Sequence, residues 1–144
     1  MKQIATEIEI NAAASRVWAV LTDFARFADW NPFILRIEGR PHIGTRLKVT
    51  IRPPDWKPMT FRPLVLKAEP ERELRWLGRI VLPWLFDGEH AFVIEPAGEG
   101  KVWFLQSEQF RGLPLPLVWG KMADKTRRGF ERMNEAIKRV AEAG

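Results

Sequence analysis

Apolar and polar residues alternate along this chain with two periods, and the longest run of one period lies at its C-terminal end. Val118, Met122, Thr126, Phe130, Met133, Ile137 and Val140 recur at three- and four-residue steps with charged residues between them. This is the pattern of one amphipathic helix over Leu117–Ala143. At about 1.5 Å per residue it is about 40 Å long, the width of a small domain. Its unbroken apolar stripe requires an unbroken apolar surface to lie on. Gly129 sits inside the helix beside Phe130, where glycine costs about 1 kcal/mol relative to alanine. Either another group approaches the backbone closely there, or room is left for something bound.

Upstream the period changes to two. Ile4, Thr6, Ile8 and Ile10 alternate with Ala5, Glu7 and Glu9, which predicts a half-buried strand. Asn11 is placed to start a helix through the alanines, with Val17, Trp18, Val20 and Leu21 as its apolar face. A second short helix from Thr22 or Asp23 carries Phe24, Phe27 and Trp30. It ends at Asn31 and Pro32, because the residue before proline is pushed out of the α region. Six strands follow, at 33–38, 45–52, 59–68, 73–80, 88–95 and 101–110, and then the long helix. The predicted fold is α+β: a curved seven-stranded antiparallel sheet wrapped around the C-terminal helix, with two short helices between strands one and two.

Composition narrows the chemistry. The 144 residues suit a single domain spanning 1–144, long enough to bury one core with space for a cavity. The net charge of +5 arises from interleaved Lys/Arg and Asp/Glu with no basic block, so a nucleic-acid partner is not expected. No apolar run nears the ~20 residues of a membrane span, and Glu7 and Glu9 interrupt the N-terminal stretch. A cytoplasmic location is the expectation. With no cysteine, disulfides, thiolate catalysis and cysteine-ligated metals are excluded together. Two histidines, His42 and His90, are too few for a histidine-rich metal site, and no phosphate loop or nucleophile elbow occurs. No cofactor or metal is expected. The absence of tyrosine excludes phenol-based acid catalysis. Arg36, Arg62, Arg75 and Arg79 alternate with apolar residues and read as solvent-facing, Arg75 without an evident partner.

The turns fall into two sets, since consecutive antiparallel strands place alternate connections at opposite ends of a sheet. Gly39–Gly44, Glu69–Arg72 and Ala97–Gly100 are short and polar. Pro53–Pro58, Val81–Phe86 and Gly112–Pro116 are apolar and proline-stiffened, and each contains or adjoins a tryptophan: Trp56, Trp84 and Trp119. An apolar ring at one end marks a pocket mouth, a membrane contact or a protein interface, unless it simply closes over the core.

Several segments together resemble the START-like superfamily with the helix-grip fold, also called SRPBCC, and within it the polyketide cyclase/dehydrase-like branch. They are Val17-Trp18-Ala19-Val20-Leu21-Thr22-Asp23, Trp30-Asn31-Pro32-Phe33, Leu74-Arg75-Trp76-Leu77-Gly78, Gly88-Glu89-His90-Ala91-Phe92, Glu108-Gln109-Phe110-Arg111-Gly112 and Gly129-Phe130-Glu131-Arg132-Met133-Asn134. The resemblance covers nearly the whole chain. It implies an apolar ligand held between the long helix and the concave sheet face. Lining positions would include Phe27, Trp30, Phe33, Trp76, Met122, Thr126 and Phe130, with Trp56, Trp84, Leu115 and Trp119 at the mouth. Met122 and Met133 would let the wall adapt to ligand shape.

Parity places polar residues in that cavity. His90 shares a strand face with Phe92 and Ile94, while Gln106 and Glu108 share one with Phe104 and Phe110. If the aromatics face the helix, so do His90, Gln106 and Glu108, at cross-strand distances of about 5–8 Å. A buried carboxylate requires a partner or a proton, so His90 and Glu108 suit an ion pair, a ligand anchor or an acid/base pair. Asn134 adjoins the stripe and reads as a backbone hydrogen-bonding residue. Three functions follow. The first is binding or transport of a small hydrophobic ligand that is lipid-, polyketide- or isoprenoid-like. The second is a cyclase or dehydratase using His90 and Glu108 as catalytic residues. The third is a module that touches a membrane surface transiently, or a protein partner, through the tryptophan/proline loops. The oligomeric state is left open.

Overall fold

The structure, a computed structural model, describes residues 2–82, 84–112 and 115–144, and among these all side chains except those of 80–82, 84–86 and 115–118. The chain runs β1 (Lys2–Ile10), α1 (Ala14–Thr22), a 3₁₀ turn (Phe24–Arg26), α2 (Phe27–Trp30), β2 (Ile34–Glu38), β3 (Lys48–Ile51), β4 (Met59–Phe61), β5 (Leu64–Glu69), β6 (Glu73–Leu82), β7 (Trp84–Gly98), β8 (Lys101–Gly112) and α3 (Leu115–Ala143). Strands β1-β8-β7-β6-β5 form one antiparallel sheet in that order, and β2-β3-β4 form a second. Eight strands in two sheets thus replace the single seven-stranded sheet expected from the pattern.

Pro63 accounts for the difference by dividing the expected 59–68 strand into β4 and β5. Val49 lies opposite Phe61, and Arg46 bridges Leu64 further along the same line. Between them the Leu47 N–H donates to the Pro63 carbonyl at 2.8 Å, but proline has no N–H to return. The ladder keeps its direction and loses its bonding at one residue.

A second correction concerns 81–86, expected as an apolar loop. Ile80 pairs with Phe86, Val81 with Leu85 and Leu82 with Trp84, so the β6–β7 hairpin runs almost to its tip. Apolar and β-branched residues with cross-strand partners extend a ladder rather than end it. Asn11 is not a helix cap either. The first helix starts at Ala14 after an uncapped Ala13, and the Asn11 N–H is taken by Glu142 Oε2 at 2.7 Å.

The last helix crosses the inner face of the five-stranded sheet, with Phe130, Met133 and Ile137 fully buried. Val118 of the predicted stripe lies outside the described side chains. At Gly129 an added methyl would collide with the ring of Phe33, so close packing is what the glycine permits. This helix is also tied along β1: Arg127 Nη1 donates to the Ala5 carbonyl (3.0 Å) and Lys138 Nζ to the Glu9 carbonyl (2.8 Å). Arg16 of α1 reaches the carbonyls of Val140 (3.0 Å) and Ala141 (3.4 Å), satisfying acceptors that a helix end leaves open. On the outer face, Arg75 is not unpaired as the sequence suggested. It bonds Glu73 Oε2 and Glu89 Oε2, both at 2.8 Å. Among the described residues, no helix is long and apolar enough to cross a membrane.

Candidate functional site

The register puts the polar residues of β7 and β8 side by side. His90 lies opposite Glu108 and Phe92 opposite Gln106, while β1 places Thr6 opposite Gln106 on the other flank. All face α3. Trp76 of β6, opposite His90, completes the row.

These groups form one directional hydrogen-bond chain. Thr6 donates its hydroxyl proton to the Gln106 backbone carbonyl at 2.9 Å, so it accepts from Asn134 Nδ2, also at 2.9 Å. Asn134 Oδ1 then accepts from Gln106 Nε2 at 2.8 Å, and the same nitrogen points at the Phe130 carbonyl, 3.4 Å away. Gln106 Oε1 is left to accept from His90 Nε2 at 3.0 Å. Two backbone carbonyls, which can only accept, therefore set the orientation of both amides and the tautomer of the histidine. His90 carries a proton on Nε2 and turns Nδ1 towards Glu108 Oε1, 3.4 Å away. That contact is attractive only with a proton between the two atoms, as imidazolium with carboxylate or imidazole with carboxylic acid.

The surroundings are apolar. His90 lies among the rings of Phe92 (4.5 Å), Phe130 (4.8 Å) and Trp76 (5.5 Å). Gln106 is fully buried and His90 and Asn134 nearly so. Both ends are half-buried, Thr6 on one side and Glu108 on the other, the Glu108 side chain being 12% exposed against 5% for His90. The second oxygen of Glu108 lies over Gly88, where an added methyl would collide with Oε2. Gly78, opposite Gly88 on β6, is covered in the same way by the Phe61 ring.

Burial along α3 changes at this level. Phe130, Met133 and Ile137 are sealed, whereas Trp119, Met122 and Thr126 stay half-buried, as do Trp30, Ile51, Met59 and Phe61. The apolar surface thus opens towards the N-terminal half of the helix. Trp119 packs edge-on against Phe110 (5.6 Å). Trp56 is 43% exposed, with Lys125 Nζ 5.2 Å from its ring centre. At the opposite end, a groove of about 440 Å³ separates the Pro70–Arg72 and Pro96–Lys101 turns from the start of α1.

Of the sequence-predicted lining residues, Phe27, Phe33, Trp76, His90, Phe92, Phe104, Gln106, Phe110 and Phe130 are buried, and Trp30, Glu108, Met122 and Thr126 are partly exposed. His90, Gln106 and Glu108 meet as parity predicted. The side chains of Trp84 and Leu115 lie outside the described residues. Asn134 corrects the sequence reading, because its partners are the Gln106 and Thr6 side chains rather than backbone. Thr6 and Gly88 went unnoticed. A hydroxyl in an isoleucine row and a glycine inside a strand were the available signals. Among the described residues, no group of three or more His, Asp or Glu side chains is placed to hold a metal.

The family model described as polyketide cyclase/dehydrase and lipid transport matches residues 1–142. The chain belongs to the polyketide cyclase/dehydrase and lipid-transport family. No curated protein matches it. In fold, this family member is similar to the Zhui aromatase/cyclase from Streptomyces sp. R1128, at 15% identity and TM-score 0.77 over 98% of this chain and 93% of that one. It is also similar to a START superfamily protein from Mycobacterium smegmatis, at 18% identity and TM-score 0.75 over 98% and 97%. Norcoclaurine synthase from Thalictrum flavum is similar at 19% identity and TM-score 0.72 over 97% and 93%. The helix-grip arrangement of a long C-terminal helix on an antiparallel sheet is common ground.

Proposed function

We propose that this family member binds a small hydrophobic molecule between the N-terminal half of α3 and the inner face of the sheet, with the Glu108 end of the polar chain meeting the ligand's polar group. The supporting observation is the coincidence of two features. The apolar lining loses its burial on the side where a mostly buried polar network ends in the half-buried Glu108. A paired network can rigidify a core by itself, but the carboxyl group at its end adds an acceptor over Gly88 that a ligand's polar group can meet. The ligand class is lipid-, polyketide- or isoprenoid-like. Mass spectrometry of apolar molecules that copurify with the protein tests this, and recovery of none under non-denaturing extraction counts against it.

A second reading has its own observation. Nδ1 of His90 lies 3.4 Å from Oε1 of Glu108 beside the lining, an imidazole–carboxyl pair of the kind a cyclase or dehydratase needs to move a proton. Glu108→Gln separates the two. For a carrier, affinity for the copurified ligand shifts by about 1–3 kcal/mol at most. For an enzyme, turnover falls by about 10²–10⁴ with binding nearly intact. Turnover by the wild type that disappears in the variant would decide for the enzyme.

A further inference from the structure

From the direction of the hydrogen-bond chain we infer that the site selects apolar molecules carrying a neutral hydroxyl, an alcohol or phenol, and rejects carboxylates such as fatty-acid anions. This rests on the reading that the inner face holds an apolar ligand. The hydrogen-bonding capacity of the network is nearly spent internally. Both nitrogens of His90 are engaged, Nε2 by Gln106 and Nδ1 by Glu108. Gln106 Nε2 points at Asn134 and at Phe130, and the Thr6 hydroxyl both donates and accepts. Within the network, the atom at its open end with no partner assigned among the described residues is Oε2 of Glu108, lying over Gly88.

Oε2 is an acceptor in either placement of the shared proton. With imidazolium beside it, it is one oxygen of a carboxylate. With the proton on Oε1, it is the carbonyl oxygen of the acid. A ligand oxygen that brings a proton completes the chain. One that brings lone pairs alone meets another lone pair in a desolvated site and leaves both groups unpaired, the circumstance in which polar sites discriminate most strongly. A ligand carboxylate adds the loss of its own hydration, with no cation of the network free to face it.

The test uses three molecules of one shape, naphthalene, 2-naphthol and 2-naphthoate, in equilibrium dialysis at neutral pH against the wild type, Glu108→Gln and Gly88→Ala. Naphthalene measures the apolar site alone. The expected result is that the wild type binds 2-naphthol at least about tenfold tighter than 2-naphthoate, the scale of one hydrogen bond to a charged group. In Glu108→Gln the naphthoate penalty, read relative to naphthalene in the same variant, shrinks to within about threefold, because the amide carries no charge and can turn its N–H to the ligand. Gly88→Ala displaces Oε2 and should lose the preference by a second route. Naphthalene binding with naphthoate held as tightly as naphthol in the wild type overturns the inference and leaves the apolar site standing. A preference that persists undiminished in both variants removes Glu108 as its source. Binding of none of the three overturns the site together with the inference.

Discussion

Three glycines, Gly78, Gly88 and Gly129, shape the inner face, and each lends its space to a neighbour. At Gly129 that neighbour is the Phe33 ring, which also meets Phe130 edge-on with ring centres 5.6 Å apart. Alanine would favour the helix by about 1 kcal/mol, but overpacking a filled site costs about 1–3 kcal/mol. The second effect should win, so Gly129→Ala is expected to lower stability by about 1–2 kcal/mol in urea unfolding. A gain would show that Phe33 yields freely. Phe130→Ala removes a ring with no exposed surface that contacts both Phe33 and His90, and should cost about 3–5 kcal/mol. A loss below about 1 kcal/mol would mean that the ring borders open space instead.

Among the elements, the junction of the two sheets depends on a single missing donor. Pro63→Ala restores an N–H opposite Leu47, worth about 0.5–1.5 kcal/mol if it bonds. The freer unfolded chain takes back about 0.4–1 kcal/mol. Net stability should hardly move, while hydrogen exchange should reveal a newly protected amide at position 63. An unprotected amide would mean that Pro63 marks a true gap between the sheets. The outer face offers a pH test. Burial raises the Glu73 carboxyl, but hydrogen bonds from Arg75 and Lys67, and their charges, outweigh it and hold the group below 4.5. Since its pKa is lower in the fold than in the unfolded chain, acidification protonates the unfolded chain first. The contribution is complete above the ordinary carboxylate range and drains away as pH falls through the folded value. Arg75→Gln should therefore flatten the decline of Tm below about pH 4.5, and an unchanged acid limb would remove this pair from it. These elements also divide what patterning reveals from what it hides. The stripe from Met122 to Val140 and the parity of His90 with Phe92 follow from period alone. Pro63 was legible as a residue but not as a boundary, because strand breaking depends on which side its absent N–H faces. Asn134 and Thr6 stayed hidden because their partners lie more than a hundred residues away in sequence or on another element.

At the scale of the molecule, family and helix-grip architecture were readable because a helix of 29 residues needs one large concave partner, which the strand run supplies. The chemistry of the site was less so, since it resides in hydrogen-bond direction, which residue type alone does not specify. The clasp between β1 and α3 also governs when the protein can form during synthesis. Lys2 sits opposite Phe110 and Ile10 opposite Val102, and Arg127 and Lys138 then fasten the helix to the same strand. Strand β1 is thus made well before β8 and α3 and waits for them before its isoleucines find cover, and contacts so distant in sequence are slow to close. Nascent chains stalled at successive lengths should stay protease-sensitive through β8 and become resistant abruptly once α3 has cleared the exit tunnel. Resistance that grows in step with length would show instead that the strands shelter one another before the helix arrives.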